Sequence, residues 1–280
     1  MMQIGDYRLY SLDVQDFALD GGAMFGVVPK VMWEKLNPSD AFNRVMLKAR
    51  VLLISGKGRH ILVDTGMGTA WSEKLRSIYL LSDFRLDSEL QAHGLVPEDI
   101  TDIIYTHLHF DHVGGSFKPS DEGLTPHFPS ARHYVQKENY LSATKPNQKE
   151  KVSYSLPFIE AFGRLSGVEL IDGPKELFSG IEVFVSNGHT RGQQLVRISD
   201  GERTLVHGSD LVPSSAHLPL PWVMGFDIEP LTVIQEKTAL LNRMHEGGEL
   251  LYFGHDPFHD TALLKRDEKG AIVVDRFITL

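Results

Sequence analysis

A cluster of three histidines and one aspartate, in the order His-x-His-x-Asp-His, constrains this chain more than any other feature. It follows the apolar run 103–105, which is typical of the end of a buried strand. On an extended backbone His107 and His109 share one face, and a turn into a helix would bring Asp111 and His112 to a second position nearby. This pattern is not that of a histidine-rich surface patch. Imidazole and carboxylate ligands so arranged predict two metal ions side by side, of zinc, iron or manganese.

Composition limits the kind of protein. A chain of 280 residues that is 42% hydrophobic and 23% charged is long enough for a sizeable core, and we predict one domain over residues 1–280. The 37 acidic residues outnumber the 28 basic ones, for a net charge of -9, which argues against a nucleic-acid partner. Because cysteine is absent, any metal site must use histidine and carboxylate ligands.

Two features of the sequence bear on where the protein is located in the cell. The first residues lack a basic start followed by a continuous apolar core, so no secretory signal is predicted. The sequence also contains no apolar run long enough to span a membrane. We therefore predict a cytoplasmic protein without a membrane partner.

The N-terminal part predicts strands and one apolar loop. Residues 7–14 alternate as a strand does, and the glycine-rich stretch 17–29 predicts a loop. Its Met24 and Phe25 suit a substrate-lining loop or a loop packed on itself, and the apolar residues 24–28 equally suit a homodimer contact.

A β-hairpin is predicted from strands 48–54 and 60–66. Asp64 lies where the second strand ends. It is a candidate to accept a hydrogen bond from a metal-binding histidine, or to cap the following turn.

Helical patterns occupy much of the remaining chain. They predict helices over 69–81 and 87–94, and a mainly helical region over 137–165 that prolines interrupt. A later amphipathic helix is predicted to begin at Pro230 and to pack against a sheet through Leu231, Ile234, Leu241 and Met244.

Three later apolar strands each end just before a polar residue that lies close to a glycine. They are 181–186 before His189, 204–207 before Asp210, and 250–253 before His255. The carboxyl ends of such strands meet at one edge of a sheet, where open α/β folds place their sites. The predicted ligand set is therefore His107, His109 and His189 for one metal, Asp111, His112 and His255 for the other, with Asp210 between them.

These seven positions resemble the pattern of the metallo-β-lactamase-like hydrolase superfamily, and residues 62–66 resemble its first motif. The resemblance covers most of the chain. It implies an α/β fold, an αββα sandwich of two β-sheets with helices outside.

Within the superfamily, residues 19–29, 106–115 and 221–224 resemble quorum-quenching N-acyl-homoserine lactonases and related organophosphate hydrolases. The resemblance implies a two-metal hydrolase, most simply with zinc, that opens a small-molecule lactone by attack of a metal-bridging hydroxide. Phosphotriester, aryl ester and thioester hydrolysis at the same site remain open, as does a metal-dependent oxidoreductase or a non-catalytic metal-binding scaffold.

One position departs from the pattern. The better-known lactonases of this type carry a tyrosine three residues after the bridging aspartate, where it can hydrogen-bond the substrate carbonyl. Here that position is Pro213. Another group must assist the carbonyl, or the preferred substrate differs.

The remaining expectations concern individual roles. Asp111 is expected to bind metal and to pass a proton to the leaving oxygen, or to bind metal only. Thr190 and Ser209 are expected, with Asp64, to orient the ligands. Because ligand pockets are mostly apolar with a few placed polar groups, the candidates for substrate contact are Met24, Phe25, His217, Trp222, Met224 and Phe226.

Overall fold

A computed structural model describes all 280 residues and contains sixteen strands. In chain order these are β1 (Met2–Ile4), β2 (Tyr7–Asp20), β3 (Arg44–Gly56), β4 (Arg59–Val63), β5 (Asp102–Ile104), β6 (Phe117–Ser120), β7 (Gly123–Pro126), β8 (Arg132–Gln136), β9 (Val168–Ile171), β10 (Lys175–Phe178), β11 (Ile181–Ser186), β12 (Gln193–Ser199), β13 (Thr204–His207), β14 (Leu250–Tyr252), β15 (Thr261–Arg266) and β16 (Ile272–Ile278). They form two seven-stranded sheets, ordered β1-β2-β3-β4-β5-β8-β9 and β10-β11-β12-β13-β14-β15-β16, and a hairpin of β6 and β7.

Eight α-helices connect or cover the strands: α1 (Gly21–Phe25), α2 (Lys30–Trp33), α3 (Glu73–Tyr79), α4 (Leu86–Ala92), α5 (Phe110–Val113), α6 (Lys137–Thr144), α7 (Leu156–Phe162) and α8 (Pro230–Gly247). None of them combines the length and the hydrophobicity that crossing a bilayer requires. The predicted loop over 17–29 is wrong in part. The strand β2 continues to Asp20, and the Asp20 carboxylate then caps α1 by accepting a hydrogen bond from the Ala23 amide at 2.9 Å.

The two sheets pack face to face through a core of fully buried aliphatic side chains. Leu52 and Ile54 of β3 meet Val196 and Ile198 of β12 in this layer. The period-2 alternation of each strand puts a second set of apolar residues on the outer faces, which the helices cover. The order of layers is helices, sheet, sheet, helix, so the predicted αββα sandwich is confirmed.

Parallel pairing brings strand ends together at one edge of this sandwich. Strand β4 pairs in parallel with β5, and β13 pairs in parallel with β14. The carboxyl ends of each parallel pair therefore lie side by side. The chain leaves these ends into the segments that carry the predicted ligands, as expected from the sequence.

Candidate metal centre

The first predicted ligand group comes together around one point. The His109 Nδ1 atom lies 3.0 Å from His107 Nε2 and 3.1 Å from His189 Nε2. His107 and His109 leave β5 in an extended segment, whereas His189 follows β11 in the other sheet. All three side chains are buried. Three imidazole nitrogens that converge from two sheets could hold one metal ion.

The second group lies beside the first. His112 Nε2 and His255 Nε2 are 3.2 Å apart, and an Asp111 oxygen lies 3.8 Å from the former and another 3.7 Å from the latter. Asp111 and His112 are on the short helix α5, as the sequence predicted, and His255 follows β14. This group could hold a second ion.

Asp210 lies between the two groups. Its Oδ2 atom is 3.4 Å from His189 Nε2, while its Oδ1 atom is 3.6 Å from His112 Nε2 and 3.3 Å from His255 Nε2. One carboxylate oxygen therefore faces each group. Asp210 could therefore contribute one oxygen to each of two ions.

An unpaired polar atom tests whether these residues fit a pair of metal ions. Asp210 Oδ1 is buried without a hydrogen-bond partner. A buried carboxylate oxygen without a partner is costly unless a cation satisfies it. Facing imidazole nitrogens at about 3 Å are likewise best satisfied by a shared ion. The donor set fits a dinuclear metal site.

Three of the histidines are oriented by an acceptor at Nδ1. His112 Nδ1 lies 2.8 Å from Asp64 Oδ2, His189 Nδ1 lies 2.8 Å from Asp227 Oδ1, and His255 Nδ1 donates to the Lys48 carbonyl at 2.9 Å. A proton held at Nδ1 leaves Nε2 with a free lone pair directed at the site. These contacts select the tautomer that binds metal.

Asp64 accepts a hydrogen bond from the His112 ring, which is one of its two predicted roles. Its backbone has a φ of 61°, in the left-handed region, directly after β4. The carboxylate thereby turns back across the sheet edge, where it contacts His112 and also accepts from the Thr106 amide at 2.7 Å. Asp64 thus fixes the start of the His107 segment and the direction of the His112 ring together.

Thr190 and Ser209 differ in what they touch. The Thr190 hydroxyl donates to Glu150 and pairs with the Tyr154 hydroxyl at 2.8 Å, and a Glu150 oxygen lies 3.8 Å from His109 Nε2. Thr190 therefore acts on a ligand through Glu150. The Ser209 hydroxyl donates instead to Gln193 at 3.1 Å, so, contrary to the prediction, it hydrogen-bonds none of the seven ligand residues.

Electrostatics favours a neutral His107 and an ionised Asp210. Burial holds the pKa of His107 well below its ordinary value. Burial penalises the Asp210 carboxylate, but His255 and His112 outweigh this penalty and hold the pKa of Asp210 well below the usual range. Neutral imidazole and ionised carboxylate are the forms that bind metal.

A cavity of about 320 Å³ opens onto the site. Five ligand residues form its floor: His109, Asp111, His189, Asp210 and His255. Its walls are mainly apolar and include Phe17, Leu19, Leu47, Ile78, Phe110 and Val152. The predicted contacts Met24, Met224 and Phe226 also line it.

Three other predicted contacts do not line the cavity, so the prediction is corrected for Phe25, His217 and Trp222. The Phe25 ring is buried between Trp33 and His217, with centroid distances of 5.1 and 4.8 Å, and Trp222 packs edge-on against it. His217 Nε2 donates to the Met24 carbonyl at 2.9 Å. These residues support the wall that carries Met24 from behind.

The sequence did not predict two carboxylates that lie against the candidate ligand histidines, Asp227 beside His189 and Glu150 beside His109. Asp227 lies in an irregular segment before α8, and nothing in its local pattern distinguishes it from a capping residue. Glu150 belongs to a one-turn helix within a region predicted as mainly helical. Both are buried, with exposed fractions of 1% and 3%, which is unusual for carboxylates and shows that each has a partner inside.

The sequence profile of the metallo-beta-lactamase superfamily matches residues 47–255. The chain therefore belongs to the metallo-beta-lactamase superfamily, in agreement with the resemblance noted from the sequence, and is a metallo-hydrolase of that fold.

Two curated relatives and one solved structure illustrate what this chain is similar to. A probable metallo-hydrolase of Mycobacterium tuberculosis is 24% identical, over 88% of this chain and 87% of its own. The N-acyl homoserine lactonase AiiA of Bacillus thuringiensis subsp. kurstaki is 26% identical, over 70% of this chain and 76% of its own. The crystal structure of a probable metal-dependent hydrolase from Staphylococcus aureus superposes with a TM-score of 0.89 and 28% identity, covering 100% of this chain and 99% of the other.

Proposed function

We propose that this protein is a two-metal lactonase that opens the ring of N-acyl-homoserine lactones or of close analogues. The observation that carries the proposal is the position of the bridging Asp210 and its neighbouring ligands at the floor of a single apolar cavity. The similarity to an N-acyl homoserine lactonase supports the choice of a lactone.

The ligand set supports zinc as the metal. Imidazole and carboxylate ligands suit zinc, iron and manganese, and sites without thiolates are common for catalytic zinc. When bound, the ions would supply a nucleophile at neutral pH, because coordination lowers the pKa of water to about 7, and they would polarise the carbonyl. The seven residues would hold the ions, and the Nδ1 acceptors would keep the imidazoles directed at them.

The cavity supports a substrate with an apolar chain. A space of about 320 Å³ matches the lower end of small-molecule pockets, which are mostly apolar with a few convergent polar groups. Met24, Met224 and Phe226 supply flexible or flat surface for an acyl chain. The apolar walls around the floor also limit the access of water to the reacting atoms.

Asp111 is the residue we assign to proton transfer. Its carboxylate is at the floor of the cavity and is the most exposed of the seven candidate ligand side chains, at 11%. It could therefore bind metal through one oxygen and still reach the leaving alkoxide of the opened ring. The carboxylate would take up the proton that the attacking water gives up and pass it to that alkoxide, which prevents the ring from closing again.

A pH-stat ring-opening assay tests the proposal on zinc-loaded protein. It compares N-acyl-homoserine lactones of short and long chain with an aryl ester and a phosphotriester. We expect lactone turnover well above the other two rates, lost in Asp111→Asn and retained in the matched surface control Asp121→Asn. Faster turnover of the ester or phosphotriester, or no lactone turnover with both metals bound, would refute the lactonase assignment.

A further inference from the structure

The group that assists the substrate carbonyl must come from somewhere other than position 213. Pro213 does not line the cavity, and its own carbonyl accepts a hydrogen bond from the His255 amide at 3.0 Å. Pro213 therefore helps to position the backbone of His255. It leaves no side-chain donor above the metal positions on that side.

Tyr79, at the end of α3, offers such a donor from the opposite wall. It lines the same cavity as Asp111 and is half-buried. Its ring stacks on Phe110, which directly precedes Asp111 in the chain and lines the cavity beside it. No protein group forms a hydrogen bond with the Tyr79 hydroxyl, so it is free to meet a ligand.

The remaining polar groups of the cavity wall are already engaged. Arg44 donates to Asp40 and to the carbonyls of Ser77 and Ile78. Asp20 caps α1. Of the neutral side chains that line the cavity, only Tyr79 and Ser153 carry a hydroxyl.

A second tyrosine near the metal site is excluded by its partners. The Tyr154 ring packs against His109 at a centroid distance of 4.7 Å. Its hydroxyl, however, pairs with Thr190 at 2.8 Å, and the residue is absent from the cavity wall. Proximity to a ligand therefore does not make Tyr154 available to substrate.

The Tyr79 ring is held in place by neighbouring aromatic rings. It stacks on Phe110 at 5.3 Å and meets the edge of Trp71 at 5.8 Å. Trp71 is fixed in turn by a hydrogen bond from Nε1 to the Met67 carbonyl at 2.8 Å. Arg44 anchors the last turn of α3 through the Ser77 and Ile78 carbonyls. A donor fixed in advance stabilises developing charge without the cost of ordering it.

We propose that the Tyr79 hydroxyl donates a hydrogen bond to the carbonyl oxygen of the bound substrate, replacing from α3 the side chain that Pro213 cannot provide. This rests on the proposed function, because it assumes a substrate with a carbonyl or equivalent oxygen at the metal site. Tyr79 is preferred over Ser153 because its ring is fixed and its longer side chain reaches further across the cavity.

Tyr79→Phe removes only the hydroxyl and tests the proposal, with Tyr140→Phe as the matched control on α6. We expect kcat to fall about 10- to 100-fold in Tyr79→Phe, the value of one hydrogen bond to a charged group, with metal content unchanged, and to stay unchanged in Tyr140→Phe. Calorimetric binding of a non-hydrolysable lactam analogue should weaken about 2- to 10-fold in Tyr79→Phe alone.

The comparison uses whichever substrate the wild type hydrolyses fastest, so a lack of lactone turnover counts against the proposed function and not against Tyr79. Ser153→Ala is assayed alongside. Wild-type kcat and lactam affinity in Tyr79→Phe would overturn the proposal. A loss in Ser153→Ala with none in Tyr79→Phe would overturn it as well and assign the contact to Ser153.

Discussion

Replacing Asp227 by asparagine should weaken metal binding, although Asp227 is not a ligand. Its Oδ1 atom lies 2.8 Å from His189 Nδ1, and its Oδ2 atom accepts from the Met224 amide at 2.8 Å. A carboxylate accepts at both atoms, whereas an amide accepts at one and donates at the other. In Asp227→Asn one of the two N–H donors therefore faces another donor.

The size of the loss in metal affinity follows from how His189 responds to the Asp227→Asn change. To relieve the clash, His189 must move its proton to Nε2, the atom that faces the metal, or the Met224 amide must lose its acceptor. Loss of such an orienting partner typically costs about 10- to 100-fold in metal affinity. This corresponds to about 1.4 to 2.8 kcal/mol of binding free energy.

Competition against a chromophoric zinc chelator measures the affinity directly. The exposed Asp121→Asn variant carries the same change in charge and should bind zinc as the wild type does. Affinity of Asp227→Asn within twofold of wild type, with the fold intact by circular dichroism, would refute the tautomer argument.

Two further predictions concern stability. Lys237 is buried and donates to the carbonyls of His217, Pro219 and Trp222. Lys237→Met leaves these carbonyls without a donor, so it should lower the free energy of unfolding, measured in urea, by about 2 to 4 kcal/mol. A variant as stable as the wild type would contradict this. Burial lowers the pKa of His133 to about 4, below the 6.5 of the unfolded chain, so the unfolded chain takes up the proton first as the pH falls and stability is lost. Between pH 7 and 5 we expect this residue to reduce the free energy of unfolding by about 2 kcal/mol. Urea titrations of the wild type and of His133→Asn at the two pH values measure this contribution, which the variant should lack. The same change of unfolding free energy with pH in both proteins would contradict the prediction.

That the candidate ligand residues come together could be predicted because their signal is local. A strand that ends shortly before His107 and a helix that begins near Asp111 follow from periodicity over a few residues, and the later strands each present a candidate ligand just past a glycine. The layer order followed from the resemblance, which the superfamily match confirms.

The supporting residues were harder to predict because their partners are distant in sequence. Asp227 contacts His189 only after α8 has packed on the second sheet, and no short pattern encodes that contact. The face of α8 shows the same difficulty. Leu231 was predicted to pack inward but is 75% exposed, while the cationic Lys237 is fully buried because three loop carbonyls happen to meet it. The contacts made in the folded protein, and not the helical periodicity, determine whether Leu231 and Lys237 are exposed or buried.

The two sheets contribute ligands to the same centre, and this affects how the chain comes apart. With no cysteine, the chain has no disulfide cross-link between its two sheets. When loaded, the ions tether His107 in one sheet to His189 and His255 in the other, much as a disulfide would staple two distant segments. We therefore expect bound metal to stabilise the packing of the two sheets against each other, and its removal to lower the free energy of unfolding.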